Sequence, residues 1–307
     1  MESAPLNIRM LAASAMVLAF AGCGGFSPRA EAPLSASANA RGAASKELVY
    51  LSDVKTNTVA IYSYPDGKSV GKLTNLGKPR SECVDTDGDV WVADIEAFQI
   101  DKFKPGGTTP SAALSTQGLP SGCSVNPVDG DIAVAGGPNG IVLSIFHRST
   151  HNHWRDAKTF TDTAMKNGYF CGYDAKGNLY LDGKKSDGTF QLAELSYGAK
   201  ALVDLTADQS IKMPGQVQWD GKYLAIGDTS LSPTVVYQFS ISGRKATKTG
   251  ATTLGGTRSV RQFWIDGDRI VGPDYGVDVG IWAYPGGGSP AKKIAILGYG
   301  AAVTAAP

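Results

Sequence analysis

The chain has 307 residues, 42% of them hydrophobic, which is enough to build a sizeable core in one large domain or two small ones. Only 19% of the residues are charged and 38 are glycine, a composition that argues against a coiled coil, a bundle of long helices or a highly charged disordered protein. The formal net charge is +1, and no basic tail is present. This balance excludes the positive surface of a dedicated nucleic-acid-binding protein.

Residues 1–22 have the features of an export signal. Arg9 precedes an apolar run from Met10 to Phe20, which is too short to span a membrane and suits the core of a signal peptide. The segment from Phe20 to Cys23 resembles the lipobox of bacterial lipoproteins. The resemblance implies that Cys23 is lipidated and anchors the chain in the membrane, and the following Gly24 suits sorting to the outer membrane, facing the periplasm. A plain secretory signal and a buried helix are the alternatives.

Residues 23–45 are rich in alanine, serine, proline and glycine and contain few large apolar side chains. Such a segment cannot bury enough surface to offset the entropy of ordering it. We therefore expect a flexible tether between the lipid and a folded domain.

A repeat runs through residues 46–307. A turn of the Asp-Gly or Lys-Gly type recurs about every 45 residues, with a short strand before it and a short alternating apolar strand after it. The five turns are Asp87-Gly88, Asp129-Gly130, Lys176-Gly177, Asp220-Gly221 and Asp266-Gly267. A third and a fourth strand follow in each unit, and four short strands joined by hairpin turns are typical of β-propeller blades.

The units predict an all-β fold, a six-bladed β-propeller that follows the signal peptide and tether. The first unit lacks an inner strand of its own, whereas the segment from Gly300 to Thr304 is left over after the last unit. We expect this segment to close the ring as the inner strand of the first blade, because an open ring would expose two apolar sheets. A frayed tail is the alternative.

The run from Cys83 to Asp94 resembles the units of NHL-repeat proteins and of the gluconolactonase and streptogramin-lyase group of six-bladed propellers. The same pattern resembles uncharacterised bacterial propeller lipoproteins. The resemblance implies the fold, and because the matching residues are strands and turns it does not transfer a function.

The catalytic sites that the resemblance implies are poorly matched. Gluconolactonase-like enzymes hold a divalent metal at the mouth of the central channel, where the present chain has Glu82, Gly122, Phe170, Gln216 and Gln262. One carboxylate is too few for a hard cation. Streptogramin-lyase-like enzymes use histidines on inner loops, whereas all three histidines here fall in one outer hairpin. A metal-dependent hydrolase, lactonase or lyase that uses Glu82 at the channel mouth is therefore only the alternative function.

Polar residues nevertheless recur at one end of the predicted channel. They are Arg80, Glu82, Gln216, Arg261 and Gln262. As a functional interpretation they form a polar funnel that binds a small anionic or hydroxylated ligand. The simpler interpretation, which the sequence alone favours, is a set of solvated loop residues.

Two further groups have the composition of metal sites. His147, His151 and His153 are spaced so that they could bind one transition metal, although a cluster of polar residues at a hairpin tip is usually an exposed turn. The acidic run from Asp85 to Asp89 superficially fits a calcium loop, but Val90 stands where that loop requires glycine. We therefore expect no metal at either place.

Three cysteines remain once Cys23 is assigned to lipid: Cys83, Cys123 and Cys171. Each begins the inner strand of its unit, and the units are consecutive, so the three side chains should lie at similar depth. One pair could form a disulfide between adjacent blades if the Cα atoms approach within about 7 Å. We favour three small buried apolar side chains, and a three-thiolate metal site has no nearby histidine to support it.

The sequence contains no nucleophile elbow, P-loop or dinucleotide fingerprint, so no cofactor is expected. The favoured interpretation is a lipid-anchored binding module of the bacterial cell envelope, without a catalytic constellation. Its partner would be an envelope protein, a glycan or a small ligand, bound by loops such as His147 to Trp154 and the region of Tyr275.

Overall fold

The computed structural model of the chain describes residues 47–53, 55–137, 141–149 and 154–306. The export signal, Cys23 and the tether lie outside the described residues, as do His151 and His153. The described part of the chain forms β-strands and no α-helix, which confirms the all-β prediction. None of its segments is a helix long and apolar enough to cross a membrane.

The strands are numbered in chain order. Their bounds are β1 (Glu47–Asp53), β2 (Thr58–Tyr64), β3 (Ser69–Leu73), β4 (Pro79–Val84), β5 (Val90–Asp94), β6 (Gln99–Phe103), β7 (Ala112–Ser115), β8 (Gly122–Val125), β9 (Ile132–Ala135), β10 (Ile141–Phe146), β11 (Lys158–Thr161), β12 (Met165–Tyr173), β13 (Leu179–Lys185), β14 (Phe190–Leu195), β15 (Val203–Ala207), β16 (Pro214–Trp219), β17 (Leu224–Asp228), β18 (Thr234–Ser242), β19 (Lys245–Leu254), β20 (Trp264–Asp266), β21 (Arg269–Asp274), β22 (Asp278–Ala283), β23 (Gly287–Ile294) and β24 (Ala301–Ala305).

Within the described residues the strands fall into groups of four antiparallel neighbours. Five groups follow chain order: β4 to β7, β8 to β11, β12 to β15, β16 to β19 and β20 to β23. The first group has the order β24-β1-β2-β3, with Ala301 opposite Leu51 and Ala305 opposite Glu47. A frayed tail is therefore wrong for Ala301–Ala305. Parallel pairing of β15 with β19 and of β19 with β23 links the last three groups into one twelve-stranded sheet.

We call β4, β8, β12, β16, β20 and β24 the inner strands, because each lies at the edge of its group that contacts other groups. β4 contacts β8 and β24, β12 contacts β8 and β16, and β20 contacts β24. The Gln218 side chain joins β16 to β20, because its amide donates to the Ile265 carbonyl oxygen and its oxygen accepts from the Ile265 amide.

The apolar core lies between the faces of successive groups. Trp91 of β5 packs with Ile132 and Val134 of β9, and the same arrangement recurs along the chain. One cluster joins the last group to the first, with Val271 of β21 beside Val49 of β1. Each group therefore buries both faces against neighbouring groups, which removes apolar surface from water at about 25 cal/mol per Å².

Aspartates at the end of the second strand in three groups fix the loop that enters an inner strand. The backbone amide of Lys78 donates to the Asp94 carboxylate at 2.7 Å. In the same way the Lys212 amide donates to Asp228 at 3.0 Å, and the Ser259 amide donates to Asp274 at 2.8 Å. These acids satisfy loop amides that the strand ladders leave unpaired. Their role is to position the loops from which the functional residues below project.

Candidate functional site

Two arginines lie at the beginning of inner strands, packed on tyrosine rings. Arg80 belongs to β4, and its Cζ lies 4.8 Å from the centroid of the Tyr299 ring. Arg261, in the loop before β20, has its Cζ 5.5 Å from the Tyr299 centroid and 5.1 Å from the Tyr275 centroid. Its Nη1 also donates to the Tyr299 hydroxyl at 3.3 Å. We call these four residues the arginine end.

The arginine end has positive charge and unused donors. Among the described residues, neither Arg80 nor Arg261 forms an ion pair with a carboxylate, and both are half-buried. The Arg261 Nε is buried with no acceptor in the described part of the chain. A guanidinium has five N–H donors, so most of them remain free for a ligand.

Glu82 lies two residues beyond Arg80 and is fully buried. Its backbone exchanges two hydrogen bonds with the Gln262 side chain, at 3.1 and 2.7 Å, whereas its carboxyl oxygens accept no hydrogen bond of ordinary geometry from the described residues. Burial raises the pKa of Glu82 to about 8, although the neighbouring Ser52 hydroxyl and amide limit the rise. Glu82 is therefore mostly uncharged near pH 7 and does not neutralise the two arginines.

Three of the five residues predicted to be either solvated loop residues or the lining of a polar funnel are buried, so the exposure that both interpretations require is wrong for them. Glu82 and Gln262 have no exposed area and Gln216 is 4% exposed, so they form a buried layer, which we call the central layer. Phe170 belongs to the same layer, and it packs so closely on Gly122 that a Cβ there would lie 2.8 Å from the ring. Only Arg80 and Arg261 retain exposure.

Among the described residues, no three acidic, cysteine or histidine side chains of the central layer lie close enough to share an ion. The one such group in the described chain is Asp85, Asp87 and Asp89. Cations of the protein already neutralise it. The ion pairs are Lys102 with Asp85 and Asp89 at 2.9 and 2.8 Å, Lys104 with Asp89 at 2.7 Å, and Arg148 with Asp87 at 2.6 Å.

Cys83 and Cys123 form a disulfide between β4 and β8, with Cα atoms 5.7 Å apart. The favoured expectation of three unbridged side chains is therefore wrong for these two, because neighbouring inner strands bring their Cα atoms within bridging distance. A three-thiolate metal site is excluded for the same reason. Cys171 is free and buried, its thiol lies 3.8 Å from the Ala133 carbonyl oxygen, and burial raises its pKa.

His147 is the described member of the predicted histidine cluster. It follows β10, and its Nδ1 lies 2.5 Å from Asp131 Oδ2. Since His151 and His153 lie outside the described residues, the expectation that the three histidines hold no metal stays a prediction.

Residues of five inner strands, β4, β8, β12, β16 and β20, line a cavity of about 300 Å³, which we call the tryptophan end. Trp219 of β16 and Trp264 of β20 line it, and the Cys83–Cys123 disulfide and Gln216 also contribute. The lining includes Val84 and Val125, and both tryptophans are half-buried. The central layer thus has a charged aromatic site beyond one face and a largely apolar cavity beyond the other.

Tyr299, Trp219 and Trp264 are absent from the site residues predicted from the sequence. A usable signal existed for Tyr299, because it immediately precedes the Gly300 predicted to begin an inner strand. The corresponding positions of other units had already supplied Arg261 and Arg80 as candidates.

No protein-family model and no curated protein matches the chain. Solved structures are similar in fold. A protein of unknown function from Bacteroides caccae aligns with a TM-score of 0.61 at 11% identity, over 85% of this chain and 99% of its own. A functionally unknown protein from Desulfotomaculum acetoxidans gives 0.58 at 10% identity over the same shares, and Kuenenia stuttgartiensis hydrazine synthase gives 0.55 at 13% identity, over 76% of this chain and 72% of its own. At such identities the likeness concerns the fold alone.

Proposed function

We propose that the six groups of strands are the blades of a propeller that β24 closes. The support is the pairing of β24 with β1 and the apolar cluster between the last group and the first. A ring of this kind leaves no unpaired apolar face. The likeness to NHL-repeat and gluconolactonase-like propellers remains part of this proposal, carried by the turn and strand pattern of the sequence.

We further propose that the protein is a lipoprotein of the bacterial cell envelope, anchored through Cys23 in the outer membrane and facing the periplasm. The lipobox-like segment from Phe20 to Cys23 supports the anchor. The Cys83–Cys123 disulfide supports the compartment, because disulfides persist in oxidising environments such as the periplasm. Wild-type protein should fractionate with membranes and incorporate labelled palmitate. A Cys23→Ala variant that still did both would refute the anchor.

At the arginine end we propose a binding site for a small organic anion. The observation that carries this proposal is the pair of half-buried arginines, stacked on tyrosines, with no acidic partner in the described chain and an uncharged Glu82 beneath them. Tyrosine rings hold the guanidinium groups in place before a ligand arrives, which lowers the entropic cost of binding. A carboxylate or phosphate could then accept two parallel hydrogen bonds from either arginine.

Calorimetric titration with benzoate, succinate and inorganic phosphate tests the anion site. Detergent-released wild-type protein should bind at least one of them, and Arg80→Gln or Arg261→Gln should weaken binding about tenfold, since a charge-assisted hydrogen bond contributes about 1.5–3 kcal/mol. Arg244→Gln is the matched control, because Arg244 is exposed in the turn between β18 and β19. If Arg80→Gln and Arg261→Gln bound the anions with the same affinity as the control Arg244→Gln, the proposed site would be refuted.

A metal-dependent hydrolase or lyase is the second candidate, and the raised pKa of Glu82 is the observation that favours it, because active-site acids often show such shifts. Metal analysis of dialysed protein distinguishes the two functions. One equivalent of calcium, zinc or manganese that is lost in Glu82→Gln would replace the anion-binding proposal. A metal-free protein that binds anions would support the anion-binding proposal.

A further inference from the structure

We propose that the tryptophan end is a second ligand site, separate from the arginine end, and that it binds the pyranose ring of an uncharged sugar. A terminal residue of an envelope glycan would have this chemistry. The proposal rests on the shape of the cavity, the two indole rings and the polar groups described below.

The cavity has the size and position of a small-ligand site. Its volume of about 300 Å³ is at the lower end of the usual range for such sites, and it holds a single ring better than a long chain. Residues of β4, β8, β12, β16 and β20 line it. Because five neighbouring strands form its wall, the cavity is rigid and is shaped before a ligand arrives.

The indole rings supply the recognition surface. Trp219 and Trp264 lie on β16 and β20, the two strands that Gln218 ties together through the nitrogen and the oxygen of its side-chain amide. Both tryptophan residues are partly exposed. The C–H groups on one face of a pyranose form an apolar plane that stacks on an indole, while its hydroxyl groups point outward to polar partners.

Polar groups with unused hydrogen-bonding capacity lie beside these rings. Gln216 is 4% exposed, and its side-chain oxygen accepts no hydrogen bond from the described residues. The Ser124 hydroxyl oxygen accepts from the Tyr173 amide at 3.1 Å, which leaves its own proton free to donate. One acceptor and one donor next to an apolar plane suit a sugar better than a purely hydrocarbon ring.

The charges of the wall select an uncharged ligand. Asp174 is the one carboxylate among the lining residues. Its oxygens accept hydrogen bonds from Lys176 and Asn178 and from the Tyr180 hydroxyl, so it belongs to the turn that it closes. Among the described residues no lysine or arginine lines the cavity, and an anion would therefore lose its hydration without gaining a cationic partner.

Saturation-transfer NMR on the full chain tests the proposal, in a zwitterionic detergent that carries no sugar headgroup. The probes are methyl β-D-glucopyranoside, methyl β-D-galactopyranoside and N-acetylglucosamine, with indole as the aromatic probe. At least one sugar should bind. Trp264→Ala, which removes a stacking face, and Val125→Trp, which fills the cavity, should each weaken binding about tenfold or more, while thermal melts verify that both variants fold.

Tyr197→Ala is the matched control, because Tyr197 is an exposed aromatic residue at a different cavity. Tyr197→Ala should bind sugar as the wild type does. The double variant Arg80→Gln/Arg261→Gln should also bind sugar as the wild type does, and this result would distinguish the sugar site from the proposed anion site. The proposal is overturned if none of the sugars binds wild type, if indole alone binds, or if both cavity variants retain wild-type affinity.

Discussion

The two ends of the inner strands differ in chemistry although only three positions along β4 separate Arg80 from Cys83. At the arginine end, two cations without acidic partners in the described chain lie on tyrosine rings. At the tryptophan end, indoles, valines and a disulfide line a cavity whose one carboxylate accepts hydrogen bonds within its own turn. The same strands therefore carry the proposed anion site on one side and the proposed sugar site on the other.

The central layer makes this difference possible. Glu82, Gln216, Gln262 and Phe170 are all buried, and Glu82 lies between Arg80 and Cys83 along β4. Because this layer separates the two ends, a substitution at one end does not place a new charge or cavity next to the other end. We expect a substitution at one end to change ligand binding at that end and to leave ligand binding at the other end unaltered.

The largest expected effect is at the tryptophan end. The double variant Cys83→Ser/Cys123→Ser removes a crosslink across a sequence separation of 40 residues, which corresponds to about 4 kcal/mol of unfolding free energy in the chain-entropy model. Urea unfolding measures the loss, with Cys171→Ser as the control for thiol removal. If the two ends are independent, the folded variant still binds benzoate or phosphate at the arginine end. A stability equal to that of wild type would show that the crosslink does not constrain the unfolded chain.

The next effect belongs to the arginine end. In Gly300→Ala the new methyl group would collide with the Glu82 carboxyl and the Gln262 side chain, and it would lie 2.6 Å from the Arg80 carbonyl oxygen. Overpacking of this kind costs about 1–3 kcal/mol, and displacement of Arg80 should also weaken anion binding. Gly71→Ala is the control, since nothing lies within 4 Å of a Cβ at Gly71. Sugar binding should survive in both variants; its loss in Gly300→Ala alone would show that the two ends are coupled.

The pH dependence of stability provides a third test. Glu82 ionises near 4.5 when unfolded and near 8 when folded, so the unfolded chain releases its proton first as pH rises. Its contribution to the free energy of unfolding therefore decreases between these pH values, by at most about 1.4 kcal/mol per pH unit, and is constant above the folded pKa. Glu82→Gln should remove this decrease in urea unfolding series at pH 5, 7 and 9.

Asp182→Asn is the control for the Glu82 variant. Asp182 is another fully buried acid, and burial also raises its pKa well above the ordinary value. Both substitutions should flatten the pH dependence of stability. Only ionisation of Glu82 should weaken anion binding above pH 8, because Glu82 lies two residues from Arg80 in β4, whereas Asp182 lies in β13. An anion affinity that is equally sensitive to Asp182→Asn would refute that assignment.

The strand pattern could be predicted from the sequence because each unit carries its own local signals. Turns such as Asp87-Gly88 precede alternating apolar strands, and those turns and strands appear in the structure. The strand ends were less predictable. The inner strand predicted to begin at Cys171 begins at Met165 instead, because residues before Cys171 pair with β13 across bulges that a short-range pattern does not encode.

The candidate site was only partly predictable, because burial depends on neighbours far away in the chain. Glu82 and Gln262 are polar residues near turns, which favours exposure, yet 180 residues of sequence separate the partners that bury each other. The stacking of Arg80 on Tyr299 depends on the return of the C-terminal segment to β1 in the same way. Repeat position placed Arg80 and Arg261 at one end, but it could not show which ring would hold them.

The smallest expected change in stability accompanies a large change in binding. Arg80 and Arg261 form no ion pair within the described chain, so Arg80→Gln/Arg261→Gln should alter the free energy of unfolding by only about 0.5 kcal/mol, as surface substitutions do. The mutual repulsion of two cations beside Tyr299 would also be relieved, which offsets part of the lost stacking. The same double variant should lose the increase in melting temperature that saturating benzoate or phosphate gives to wild type. An unaltered ligand-induced shift would mean that the anion binds elsewhere, and a large loss of stability would mean that the arginines serve the fold rather than a ligand.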